Sequence, residues 1–155
     1  MNKKNLTIEE TFALAVQNHQ NNNFKIAENF YKEILEKNPN HFETIFLLGS
    51  LSIQIKNFDT AIQLLNKAIK IKPNLAAAHF NLGIVFSEFQ EFQKAQACYE
   101  RAIKINPNFA DAHNNLGTVF RVLREFKKAI TCYEKAIYLK PDHDYAHSSK
   151  LFSSL

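Results

Sequence analysis

With 155 residues, nearly half of them apolar, 22% charged and a net charge of +4, the chain can bury a core and does not have a disordered composition. Its sixteen Lys and three Arg alternate with fifteen acids, a solvated pattern rather than the basic stripe of a nucleic-acid partner. The start, MNKKNLTIEE, has no apolar stretch behind its lysines, and TIFLLGSLSI (44–53) falls short of the roughly 20 residues of a membrane span, so the chain reads as soluble, with no membrane partner, and most simply as cytoplasmic.

All four prolines stand 34 residues apart, at Pro39, Pro73, Pro107 and Pro141, and the three glycines keep the same interval, at Gly49, Gly83 and Gly117. A fixed period of this length marks a stacked repeat array. With Pro at position 32, the repeats run 8–41, 42–75, 76–109 and 110–143, with a terminal helix at 144–155, all in one domain, 1–155. Repeat 1 carries Leu14 and Ala15 at positions 7 and 8, Phe24 at 17, Ala27 at 20 and Tyr31 at 24. Its positions 10, 11 and 14 are polar (Gln17, Asn18, Asn21), the wettable face that an array needs at its end. Repeat 2 follows with Leu48, Gly49, Phe58, Ala61 and Leu65. In repeat 3, Leu82, Phe86 and Phe89 at i, i+4, i+7 predict one helix. After a polar break at Gln90 and Glu91, the stripe Phe92, Ala95, Tyr99, Ala102 and Ile103 predicts a second helix facing it. Repeat 4 has Leu116, Gly117, Phe126, Ala129 and Tyr133. The small residues at positions 8 and 20 let the paired helices approach closely. Each Pro is expected to end the second helix and to fall in the first turn of the next repeat. In the last segment Lys150 takes the position of the repeat Leu. Leu151, Phe152 and Leu155 form an apolar end with no second helix to cover it, a surface through which two copies could pair.

Pro at 32, Ala at 20 and 27, Leu-Gly at 7–8 and Tyr at 24 together resemble the tetratricopeptide repeat (TPR) over 8–143. The resemblance implies an all-α, right-handed TPR solenoid of four helix-turn-helix repeats plus a C-terminal (capping) helix. Its first helices would line a concave groove and its second helices form the convex back. Such a chain is a protein- or peptide-binding scaffold and not an enzyme.

The residues that could carry chemistry fit that expectation. His79, His113 and His147 share position 4, and His41 and His143 share position 34. Equivalent positions lie about 10 Å apart if helices pack at 8–10 Å, whereas zinc needs its donors about 2 Å from one point. The position-4 histidines are therefore expected to pack between helices. Cys98 and Cys132 share position 23, beyond the ~7 Å reach of a disulfide, and are expected as free thiols in the core. No Gly-rich phosphate loop and no Ser–His–acid set stands out, so no catalytic, metal or cofactor site is expected.

Position 6 turns toward the groove and reads Ala13, Leu47, Asn81, Asn115 and Ser149. AHFNLG (78–83) and AHNNLG (112–117) resemble the repeats of TPR-fused O-linked sugar transferases. In that family an Asn column binds the backbone of an extended peptide, and the matching residues here are Asn81 and Asn115. A carboxamide offers an acceptor and two donors, so it can pair with another chain's peptide group. The alternative is that both Asn are solvated or cap local structure. Two such rungs supply on the order of 2–4 kcal/mol at about 0.5–1.5 per hydrogen bond, against about 8 for micromolar affinity. The neighbours Phe46, Ser50, Gln54, Phe80, Ile84, Glu88, Asp111, Asn114, Thr118 and Arg121 would supply the rest, with Phe46 and Phe80 giving most of the apolar area. A second TPR subtype grips a peptide's C-terminal carboxylate with cations. Its five positions hold Phe12, Val16, Leu47, Ala77 and Asn81 in one frame and Phe46, Ser50, Asn81, Asp111 and Asn115 in the next, none of them cationic. The closing AHSSKLFSSL resembles the junction that ends the array in sugar-transferase fusions. That gives the alternative reading, the N-terminal substrate-recruiting region of a larger glycosyltransferase-like enzyme.

Overall fold

A computed structural model describes residues 5–142 and 144–153, the side chains of Tyr145 and of 151–153 apart. The described residues form helices and turns, with no strand among them. They fall into two compact units divided between Pro73 and Asn74. The first holds α1 (Ile8–Gln20), α2 (Phe24–Lys37), α3 (Phe42–Gln54) and α4 (Phe58–Ile71). The second holds α5 (Ala76–Glu88), α6 (Phe92–Ile105), α7 (Ala110–Val122), α8 (Phe126–Leu139) and α9 (Asp144–Ser153). This is the all-α repeat architecture expected from the sequence. No described helix is long and apolar enough to cross a membrane.

Local chemistry sets each boundary. Thr7 and Glu10 open α1 as a reciprocal capping box, each accepting the other's backbone N–H at 2.9 and 3.1 Å. Within each repeat the chain turns back through a left-handed residue: Asn22, Lys56, Gln90 and Arg124 have φ between 59 and 62°. The following N–H then reaches back five residues, as in Glu91 to the Phe86 carbonyl at 2.9 Å. The left-handed region costs a residue with a Cβ about 1–2 kcal/mol, yet no repeat puts Gly there.

Pro39 and Pro107 sit one residue beyond the second-helix caps, Asn38 and Asn106, and three residues before the next helix starts. Each therefore terminates a helix without entering the first turn of the next, which corrects the expected placement. The Pro carbonyl left in the turn is held by the repeat's histidine. His113 Nε2 donates to Pro107 O at 2.9 Å, and His147 Nε2 to Pro141 O at 3.0 Å. His113 and His147 thus act as latches on the turn, a role the expectation of packing between helices did not include. His41 instead caps α3, its Nδ1 accepting from the Thr44 N–H at 3.4 Å.

In the first unit Ala15, Ala27, Tyr31, Leu48 and Leu51 form the core. In the second, Tyr99 and Tyr133 pack with Ala95, Leu116, Val119, Phe120 and Ala129. The repeat glycines make these layers possible. A Cβ on Gly83 would stand 2.5 Å from the Tyr99 ring, and one on Gly117 2.7 Å from the Tyr133 ring. One on Gly49 would stand 3.2 Å from Leu65. Phe89, expected on the buried stripe of α5, is instead its 43%-exposed C-cap, because the helix ends at Glu88. α9 packs on α8 through buried Ala146 and Ser149, and Lys150 extends to Glu134 at 2.9 Å. Leu155 and the side chains of Leu151 and Phe152, where pairing of two copies was expected, lie outside the described residues.

Candidate functional site

The second unit contains a pocket of about 440 Å³, within the size range of ligand sites. Phe80, Ile84 and Glu88, each four residues apart on α5, form one wall. Asp111, Asn114, Asn115 and Thr118, on one face of α7, form the other, and Tyr99 of α6 closes the floor. The Phe80 ring is fixed from two sides, 5.8 Å from the Tyr99 ring and 4.7 Å from that of Phe109. Seven residues expected in the groove thus meet in one cavity.

The others are placed elsewhere. Asn81 is half-buried on α5 and does not line the pocket, nor does Arg121, whose Nε is buried without a partner. Phe46, Ser50 and Gln54 belong to the first unit, so Phe46 and Phe80 stand in different units. Ser50 donates to the Phe46 carbonyl at 3.1 Å. Gln54 lines a pocket of about 390 Å³ with Val16, His19, Gln20, Asn22, Tyr31 and Leu47. There the His19 ring bridges the Tyr31 hydroxyl and Gln54 Oε1, at 3.1 Å each.

A hydrogen-bonded chain crosses the second-unit pocket. Asn114 Nδ2 donates to Asn115 Oδ1 at 3.4 Å, and Asn115 Nδ2 to the Tyr99 hydroxyl at 3.5 Å. That hydroxyl lies 3.3 Å from Ser87 Oγ. Burial pushes the Tyr99 phenol above its usual range, and the bonds to Ser87 and Asn115 oppose the shift. Asn115 keeps a free N–H and a free lone pair on a half-buried side chain. Asn114 lines the pocket with a side chain only 4% exposed, and its Oδ1 has no partner. The sequence carried a signal for it: position 5 reads Phe12, Phe46, Phe80 and then Asn114. Where three repeats put an aromatic ring, the fourth puts an amide. The sequence marks Tyr31 and Tyr99 as packing residues only and gives His19 no role, although the polar atoms of all three join the pocket networks.

Cys98 and Cys132 are free, and burial raises both thiols to about 11. Among the described residues, no group of three or more His, Cys, Asp or Glu is placed to hold a metal ion.

The tetratricopeptide repeat model matches 76–109 and 110–143, and a second TPR model matches 49–88. No curated protein matches the chain significantly. Among solved structures, two crystal structures of MamA are 31% and 32% identical, with TM-scores of 0.84 and 0.82. They cover 94% and 90% of this chain and are themselves covered to 80% and 81%. YrrB, a TPR protein with an unusual peptide-binding site, is 20% identical, with a TM-score of 0.82 over 94% of this chain and 75% of its own. Repeat models over most of the 34-residue array, and a relative above 30% identity along nearly the whole length, agree with the helix pairs and the Gly–Tyr packing. The chain belongs to the tetratricopeptide repeat family.

Proposed function

We propose that the chain is a non-catalytic binding scaffold whose second unit takes up an extended peptide along the pocket between α5 and α7. The observation that carries this reading is the pocket itself. An apolar wall (Phe80, Ile84) faces a carboxamide, Asn115, that retains both donor and acceptor capacity. A peptide backbone repeats one donor and one acceptor per residue, and a half-buried amide beside apolar surface matches both. The likeness to YrrB is one of fold. The finer likeness to sugar-transferase repeats enters only as the suggestion that Asn81 supplies a second rung. The alternative of a glycosyltransferase front draws no support from the similar structures, which are TPR proteins.

The test is fluorescence anisotropy with a labelled pool of degenerate nine-residue peptides. Asn115→Ala is expected to weaken binding about three- to ten-fold, the loss of one or two net hydrogen bonds. Asn115→Ala with Asn81→Ala is expected to weaken it further, with an unchanged melting temperature. Unchanged affinity, or a fall in melting temperature matching the loss of binding, contradicts the reading.

A further inference from the structure

We propose that the second-unit pocket selects a basic side chain, Arg or Lys, from the peptide it holds. This rests on the peptide reading above and adds what the pocket recognises. Asn114 donates to Asn115 and Asn115 donates to Tyr99, whose hydroxyl shares a further hydrogen bond with Ser87. Neither amide donor is directed at the Asn114 oxygen. Asn114 Oδ1 is left as a buried acceptor with no partner at a side chain 4% exposed. A buried polar atom without a hydrogen bond is destabilising, so the site favours a guest that brings a donor.

The charge around it says which donor. Asp111 stands one helical turn before Asn114 on α7, so the two side chains share a face. Glu88 lines the pocket from the end of α5 and makes no ion pair among the described residues. Among the described residues, no Lys or Arg lines the cavity. The acidic lining, with Glu88 on one wall and Asp111 on the other, favours a positive guest. The Phe80 ring adds an aromatic face of the kind that attracts a guanidinium or ammonium. A guanidinium or ammonium carries only donors, as Asn114 Oδ1 requires.

The experiment uses five labelled pools of nine-residue peptides, degenerate except for a central Arg, Lys, Gln, Leu or Glu. The full chain is expected to bind the Arg and Lys pools about ten-fold more tightly than the Gln pool, with the Glu pool weakest. Asp111→Asn with Glu88→Gln, both at exposed positions, is expected to bring the Arg and Gln pools within two-fold of each other. Asn114→Leu is expected to narrow the gap without closing it, with circular dichroism confirming the fold. Equal binding of all five pools overturns basic selection and leaves the peptide reading standing. A preference for Glu also overturns it and implies that the amide chain runs the other way, with a donor at its buried end. Binding of no pool overturns both readings.

Discussion

The two units build the same cavity and furnish it differently. In the first, Val16, Gln20 and Leu47 occupy repeat positions that Ile84, Glu88 and Asn115 occupy in the second. A buried tyrosine, Tyr31 or Tyr99, lines each cavity. The polar groups end differently. In the first unit the Tyr31 hydroxyl meets His19, which continues to Gln54, in a pocket with no carboxylate in its described lining. In the second the network runs back to Asn114 Oδ1 and stops, in a pocket with two carboxylates. The packing positions fix the geometry of a repeat. The groove positions are free of that demand, so chemistry can change there without changing the frame.

The largest expected effect tests the frame. Gly83→Ala would drive a methyl into the rigid Tyr99 ring at 2.5 Å. Overpacking of this kind costs about 1–3 kcal/mol, and alanine's higher helix propensity returns at most about 1. Gly49→Ala meets the aliphatic side chains of Leu65 at 3.2 Å and Leu64 at 3.4 Å and is expected to change stability by less than about 1 kcal/mol. Repeat 1 already seats Ala15 beside a fully buried Tyr31, so equal costs for the two variants in thermal melts would mean that the glycine is not what the ring requires.

A smaller effect is expected at high pH. Burial raises Tyr31 from 10.0 to about 12 in the first unit, and Cys98 and Cys132 from 9.0 to about 11 in the second. The unfolded chain releases these protons first. The stability they contribute is complete below pH 9 and is lost as pH rises through about 11 for the thiols and about 12 for the phenol. Cys98→Ala with Cys132→Ala is expected to flatten the fall in melting temperature between pH 9 and 11. The part above pH 11 should remain, as a pH series of melts would show.

The repeat frame was legible because packing is periodic. Pro, Gly, Phe and Ala recur every 34 residues at positions where size alone decides. The left-handed turns at Asn22, Lys56, Gln90 and Arg124 were not legible, because four different polar, exposed residues stand where local preference calls for Gly. The two groove asparagines look identical in sequence, since both hold position 6. They differ in what stands nearby: Asn115 reaches Tyr99 and the pocket, while Asn81 lines no part of it. Periodicity gives the position of a side chain on its helix and not its neighbours across the groove. Asn114 was visible as a break in a Phe column, but its orphaned oxygen emerges only once the directions of its neighbours' hydrogen bonds are known.

The central proposal is that the peptide is taken up by the pocket of the second unit. It is tested most directly by titrating the isotope-labelled chain with the central-Arg peptide pool and following amide and side-chain NMR shifts. The account predicts that the changes concentrate on Phe80, Ile84, Asn114, Asn115 and Thr118. Changes centred on Leu47 and Gln54, or spread evenly over both units, would contradict it.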